Sequence, residues 1–145
     1  MRSFKSFMSA AVALLTFLAL APATLAHAQF PAYLHALADL RTAREYLKMD
    51  TRPGTGHARD YAINEINRAI DDIKRAARDE GKNPDITPPP QGGGNPGWPF
   101  HSAERLLREA RHDVDHGRDL PENMGLRERS VEHIDKALQA LAPFL

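Results

Sequence analysis

Two imidazoles four residues apart carry the clearest chemical signal in this chain. His112 and His116 bracket the stretch HDVDH, a spacing that sets both rings on one side of a helix with 3.6 residues per turn. Such a pair suits a divalent cation. His112 and His116 would give nitrogen, Asp115 oxygen, and Zn, Cu or Ni is the ion such donors take, with Glu109 as a further oxygen in reach. A structural or catalytic metal normally wants three or four protein ligands and outer partners that orient the rings. Stepping ~100° per residue from His101, the apolar side chains of this segment centre near about 190°. By the same step His101, Arg108, His112 and His116 fall between about −20° and about 60°. The histidines are therefore expected in water, where Arg105 and Arg108 oppose a bound cation. A solvated helix face is the first reading, and a surface metal site at His112, Asp115 and His116 is the alternative.

Other chemistries find less support. The chain has no G-x-S-x-G, no H-E-x-x-H and no phosphate loop, and no paired carboxylates stand on an apolar face. QGGGNPG lacks the lysine and the strand-to-helix setting of a nucleotide loop. With no cysteine, disulfides, thiolate metal sites and C-x-x-C-H haem attachment are impossible. Ser102 and Ser130 stand at or near helix starts with no base beside them, which suits capping or packing. Met49 and Met124 fall at corresponding loop positions, too few for copper handling and suited to packing at bundle ends. His35 is expected opposite the core stripe of its helix, His57 at a helix start, and His133 at the border of a stripe, partly buried in an ordinary contact. No cofactor and no catalytic residue is expected.

The elements that would position these residues are helical. Tyr33, Leu37, Leu40, Ala43 and Leu47 form one stripe over about 33–48. Ile63, Ile66, Ile70, Ile73 and Ala77 alternate steps of three and four over about 57–80, with Gly81 where a left-handed cap belongs. Ala103, Leu106, Leu107, Ala110 and Val114 define a third helix over about 102–116, which Gly117 can end. Val131, Ile134, Leu138 and Leu141 define a fourth over about 126–141. The halves repeat: LRTAR at 40–44 returns as LREAR at 107–111, 67 residues on. EINRAIDDI at 65–73 returns as HIDKALQAL at 133–141, an offset of 68 that also relates Arg59 to Arg127. Phe30-Pro31 and Trp98-Pro99 introduce the two halves, proline suiting a first helical turn. This order of features marks an internal duplication of a helical hairpin.

Hairpin turns as short as MDTRPGTG and GRDLPENMG make their helices antiparallel. One hairpin buries too little to stand alone, so the fold expected is all-α, a four-helix bundle of two similar antiparallel hairpins. A Pro/Gly-rich linker or crossing loop joins them. The division is 1–28 signal peptide, 29–81 first hairpin, 82–99 linker and 100–145 second hairpin, with 29–145 as one domain. Hairpins joined flexibly, or completed by a second chain, are the alternatives. The repeated Arg41 and Arg44, matched by Arg108 and Arg111, suit salt bridges along helix faces such as Glu104 to Arg108. For Arg44 and Arg111 a reach to acidic partners on the facing helix stays open.

Residues 1–28 read as a secretory signal: Arg2 and Lys5, the apolar run AAVALLTFLAL, then the small-residue AHA before Gln29. They hold two of the 19 basic residues and none of the 19 acidic ones, leaving 17 basic against 19 acidic side chains. That balance gives no support for nucleic acid or an anionic membrane as partner. The segments YLHALADLRTAR, AINEINRAIDDIKRAARDEGK and VEHIDKALQAL resemble those of small exported bacterial all-helical proteins of unknown function, a likeness that covers almost the whole mature chain and implies no activity. Periplasmic four-helix electron carriers and envelope chaperones share the architecture only. The function expected is an exported, non-catalytic binding module, periplasmic or extracellular, as monomer or homodimer. Its partner would be a protein or envelope component, with no membrane insertion after signal cleavage. Trp98 and Phe100, beside GGGNPG, are the candidate contact residues, with capping of the bundle end as the blander reading.

Overall fold

The computed structural model describes residues 31–117 and 125–145, so the segment 1–28 that reads as a signal, Phe30 and Met124 lie outside the described residues. Four helices follow in order: α1 (Ala32–Met49), α2 (Gly56–Asp79), α3 (Pro99–His116) and α4 (Leu126–Leu141), with a short 3₁₀ turn at Ala142–Phe144. No strand occurs among the described residues. The chain forms an antiparallel four-helix bundle, and the two hairpins close on each other within one chain.

Local chemistry sets the ends. α1 starts from the Pro31 carbonyl, which accepts the amides of Leu34 and His35 at 3.0 and 3.4 Å. α2 ends in a Schellman motif around Gly81, whose φ is +71°. The Lys82 amide reaches the Ala77 carbonyl and the Gly81 amide reaches that of Arg78, each at 2.8 Å. α3 begins at Pro99, three residues before the stripe predicts, because proline occupies its first turn and the Trp98 carbonyl accepts the Ser102 amide. Ser102 consequently lies inside the helix, and its Oγ is held by the Asn95 backbone rather than capping.

The duplication is written into the packing. α1 packs most extensively on α3, and α2 on α4, so each helix finds its repeat counterpart more fully than its hairpin partner. Small residues at equivalent positions allow the α2–α4 approach: Ala62 matches Ser130 and Ala69 matches Ala137, all buried. The buried face of α4 is consequently centred on Ser130, Ile134, Ala137 and Leu141, and Val131 and Leu138 are only partly buried. The repeated arginines also act alike. Arg44 donates to Asn67 Oδ1 on α2 at 2.9 Å, and Arg111 donates to both oxygens of Asp135 on α4 at 2.6 and 3.2 Å. Asn67 and Asp135 are themselves repeat counterparts, 68 residues apart. Arg59 donates to the Asp50 carbonyl and Arg127 to that of Val114, so each steadies the C-terminal end of the preceding helix.

One element has no repeat. Residues 82–98 form an ordered strap laid along α1 and α3. Lys74 and Arg78 hold Asp85 at its start. Arg41 donates to Thr87 Oγ1 and the Pro84 carbonyl, and Tyr33 to the Asn83 carbonyl. Pro84 and Pro88 are buried, and Gly94 lies so close over the Tyr46 ring that a Cβ there would collide with it. The strap explains why Tyr33 to Leu40 are buried without interruption, where an amphipathic stripe leaves gaps. His35, expected opposite the core, is only 7% exposed, because the strap roofs the far side of α1.

Candidate functional site

The end of the bundle where α1 and α4 finish and α2 and α3 begin carries a cleft of about 290 Å3 lined by Met49, Arg52, Pro96, Trp98, Phe100 and His101, among others. The α1–α2 turn forms one wall and the last residues of the strap the other. Trp98 is 62% exposed and Met49 56%, and Leu145 is also exposed at this end. Trp98 tilts against the His101 ring with centroids 5.8 Å apart. Phe100, expected beside Trp98 as a contact residue, is 1% exposed and belongs to the core. It meets Phe144 edge-on at 6.0 Å, and the Arg52 guanidinium covers its ring at 4.4 Å. Phe100 is turned inward because it falls in the first turn of α3, directly in line with Ala103 and Leu107.

Electrostatics at this end are set by one carboxylate. Asp50 is buried, and it accepts from Thr55 Oγ1 at 2.6 Å and Arg52 Nε at 2.7 Å. Burial alone would raise its pKa, but those bonds and the guanidinium charge outweigh it and hold the carboxyl below its ordinary range. Asp50 is thus consumed internally. What faces the cleft is apolar surface, His101, the remaining guanidinium donors of Arg52 and the first turn of α3, which has no side-chain cap and no acidic residue.

A second polar cluster lies beneath the strap. Asp39 is fully buried. Its Oδ1 accepts the Gln91 amide at 2.8 Å, while Oδ2 is buried with no hydrogen bond. The Gln91 side chain donates to Asp113 Oδ2 on α3 at 2.7 Å, so one strap residue spans carboxylates on two helices. Burial, only partly offset by the Gln91 and Gly92 amides and reinforced by the charges of Asp113 and Glu109, pushes Asp39 up to about 7. Burial also raises Asp113, against the pull of His35, His112 and Gln91. A carboxyl poised near neutrality is the usual currency of acid–base catalysis. Here it is closed in by the strap and does not line the end cleft.

The HDVDH histidines are exposed and their rings stack, centroids 4.5 Å apart and planes 25° from parallel. His116 Nδ1 lies 3.2 Å from the His112 carbonyl, and Asp115 is drawn toward Arg111 at 3.7 Å. Stacked rings do not converge their nitrogens on one point. Among the described residues no group of three or more His, Asp or Glu side chains is placed to hold a metal ion. His133 is more engaged. Its Nδ1 lies 2.6 Å from Glu65 Oε2 and its Nε2 3.9 Å from Asp72, between α2 and α4.

Sequence reasoning misses Asp39, His35 and Gln91 as a cluster. Their one signal is that His35, Asp39 and Tyr46 share a helix face, and nothing in the sequence names the strap as its cover. It also misses Met49 and Arg52 as neighbours of Trp98, since they lie 49 and 46 positions before it in the chain. Together the described residues define an all-α bundle with an external strap and a partly apolar cleft at one end. Comparison with protein-family models, with curated proteins and with solved structures finds no match.

Proposed function

We propose that this protein is an exported, non-catalytic binding module whose end cleft receives a segment of a partner protein. The observation that carries the reading is the exposure of Trp98 and Met49 on facing walls of the cleft. An exposed tryptophan beside a flexible thioether is a common composition for a contact surface, since each offers large apolar area at little entropic cost. The chemistry on offer selects a peptide with an aromatic or aliphatic side chain next to a carboxylate. The apolar group would lie between Met49 and Trp98, and the carboxylate would face His101, Arg52 and the open amides of α3. The buried carboxyl of Asp39, closed off by the strap, supports a non-catalytic reading. Among the described residues no helix is long and apolar enough to cross a membrane.

Selection of peptides from a displayed library against the mature protein tests this, followed by titration read through the emission of its single tryptophan. Enriched sequences sharing an apolar residue beside Asp or Glu are expected, with affinity falling about tenfold or more in Trp98→Ala, a loss of ~1.4 kcal/mol. Ligands that bind Trp98→Ala and Met49→Ala as tightly as the parent would refute the site.

A further inference from the structure

The strap that supplies Pro96, Gly97 and Trp98 to the cleft is fastened midway by a single corner. Before that corner it is held by Arg41, Tyr33 and the Asp85 ion pairs, and after it by the Asn95–Ser102 exchange. At the corner the Gln91 amide and side chain engage Asp39 and Asp113, and Gly92 lies so near α3 that a Cβ there would stand 2.9 Å from Leu106 Cδ2. We propose that Asp39 is a protonation-controlled latch: neutral, it keeps the strap corner seated on α1 and α3, and ionised, it lifts that corner to admit water.

The reason is the environment of the carboxyl. Oδ2 is enclosed with no donor, so a negative charge has one strong partner where it needs several. The groups facing it add to the cost. Asp113 and Glu109 come from α3 and repel it, and the strap contributes only amide dipoles from Gln91 and Gly92. His35 on α1 and His112 on α3 act on Asp113, and Arg105 lies beside Gly92. The cheapest way to solvate an ionised Asp39 is to raise the 91–92 corner, because α1 and α3 are locked by their core and the strap is not. The upward displacement of its pKa, to about 7, agrees with this and puts the change within the physiological range. Lifting the corner also slackens the Pro96–Trp98 wall. That last consequence rests on the cleft being a binding site, whereas the latch does not.

Hydrogen exchange of the 86–98 segment in the full mature chain, corrected for intrinsic rates between pH 5.5 and 8.5, tests the latch. Protection is expected to fall at least about tenfold across pH 7, since each unit between closed-strap and open-strap pKa values is a factor of 10 in opening. Asp39→Asn, which keeps the shape and an acceptor for Gln91, should hold protection level across the range. Acrylamide quenching of Trp98 in a His101→Gln background, which removes the imidazole beside the indole, should follow the same profile. Protection that is independent of pH in the parent would overturn the proposal. So would an unchanged fall in Asp39→Asn, which would assign the change to a group other than Asp39. A latch that behaves as expected while peptide affinity ignores pH would refute only the slackening of the Pro96–Trp98 wall.

Discussion

His133 and Glu65 occupy the same position of the two repeated hairpins, 68 residues apart, and they meet: Nδ1 of the one lies 2.6 Å from Oε2 of the other. An antiparallel pair of related helices brings counterparts together only where the pseudo-twofold axis passes, so this contact marks it. Two identical acids there would repel. The two similar hairpins differ at this point, one carrying an imidazole and the other a carboxylate, with Arg68 at 3.0 Å completing the environment of Glu65. His133→Ala should cost about 1–3 kcal/mol, because it strips a buried carboxylate of its closest partner and leaves only a largely exposed arginine. A double-mutant cycle with Glu65→Gln, read by urea unfolding, should return coupling of about 1 kcal/mol or more. Strict additivity would mean the contact is incidental.

Gly94 is expected to be the least replaceable residue of the strap. A methyl group there runs into the Tyr46 ring, which is itself packed against the core. Gly94→Ala should destabilise by about 1–3 kcal/mol, in the range of overpacked sites. Pairing it with Tyr46→Ala should recover part of that loss despite the second truncation. If Gly94→Ala melts at the parent temperature, the strap is not seated as described.

Stability should form a dome against pH with its maximum in mild acid. Asp39, with a folded pKa of about 7, favours the folded state while protonated; its support is full below the ordinary carboxylate value of about 4 and is lost as pH climbs to about 7. Asp113, raised by burial, acts in the same sense. Asp50 has the opposite sign. Its lowered pKa stabilises the fold above the ordinary value, and that contribution disappears as pH falls through the folded one. Urea midpoints at pH 3, 5 and 8 should therefore peak at 5, and Asp39→Asn should lessen the alkaline fall and leave the acid side unchanged. A midpoint rising from pH 5 to 8 in the parent would contradict the burial of Asp39.

The stacked His112 and His116 bear on the metal alternative. Chelation requires the rings to turn, breaking the stack and the His116–His112 carbonyl contact, with Arg111 already beside Asp115. Calorimetric titration of residues 29–145 with Zn, Cu or Ni should give binding no tighter than a lone histidine pair supplies, with no gain in melting temperature. Replacing both histidines by alanine should change stability by no more than ~0.5 kcal/mol, as for other exposed positions. Tight binding of one equivalent, lost in that variant, would restore the alternative.

Local pattern was enough for the four helices, the Gly81 cap and the outward His112 and His116, because each depends on residues within a few turns of one another. The aliphatic seams of α2 and α3 could be read with little error for the same reason, and the Arg44 and Arg111 contacts were open to anticipation because the repeat states them twice. The fate of His35 and Asp39 was decided elsewhere. Their helix face counts as polar by every local measure, and only a strap arriving from more than 50 residues away turns it into an interior. The same holds for α1 choosing α3 over its own hairpin partner. Local sequence sets which side of a helix is apolar; what finally covers the other side is a matter of long-range packing, where the free energy depends on surfaces that no single stretch contains.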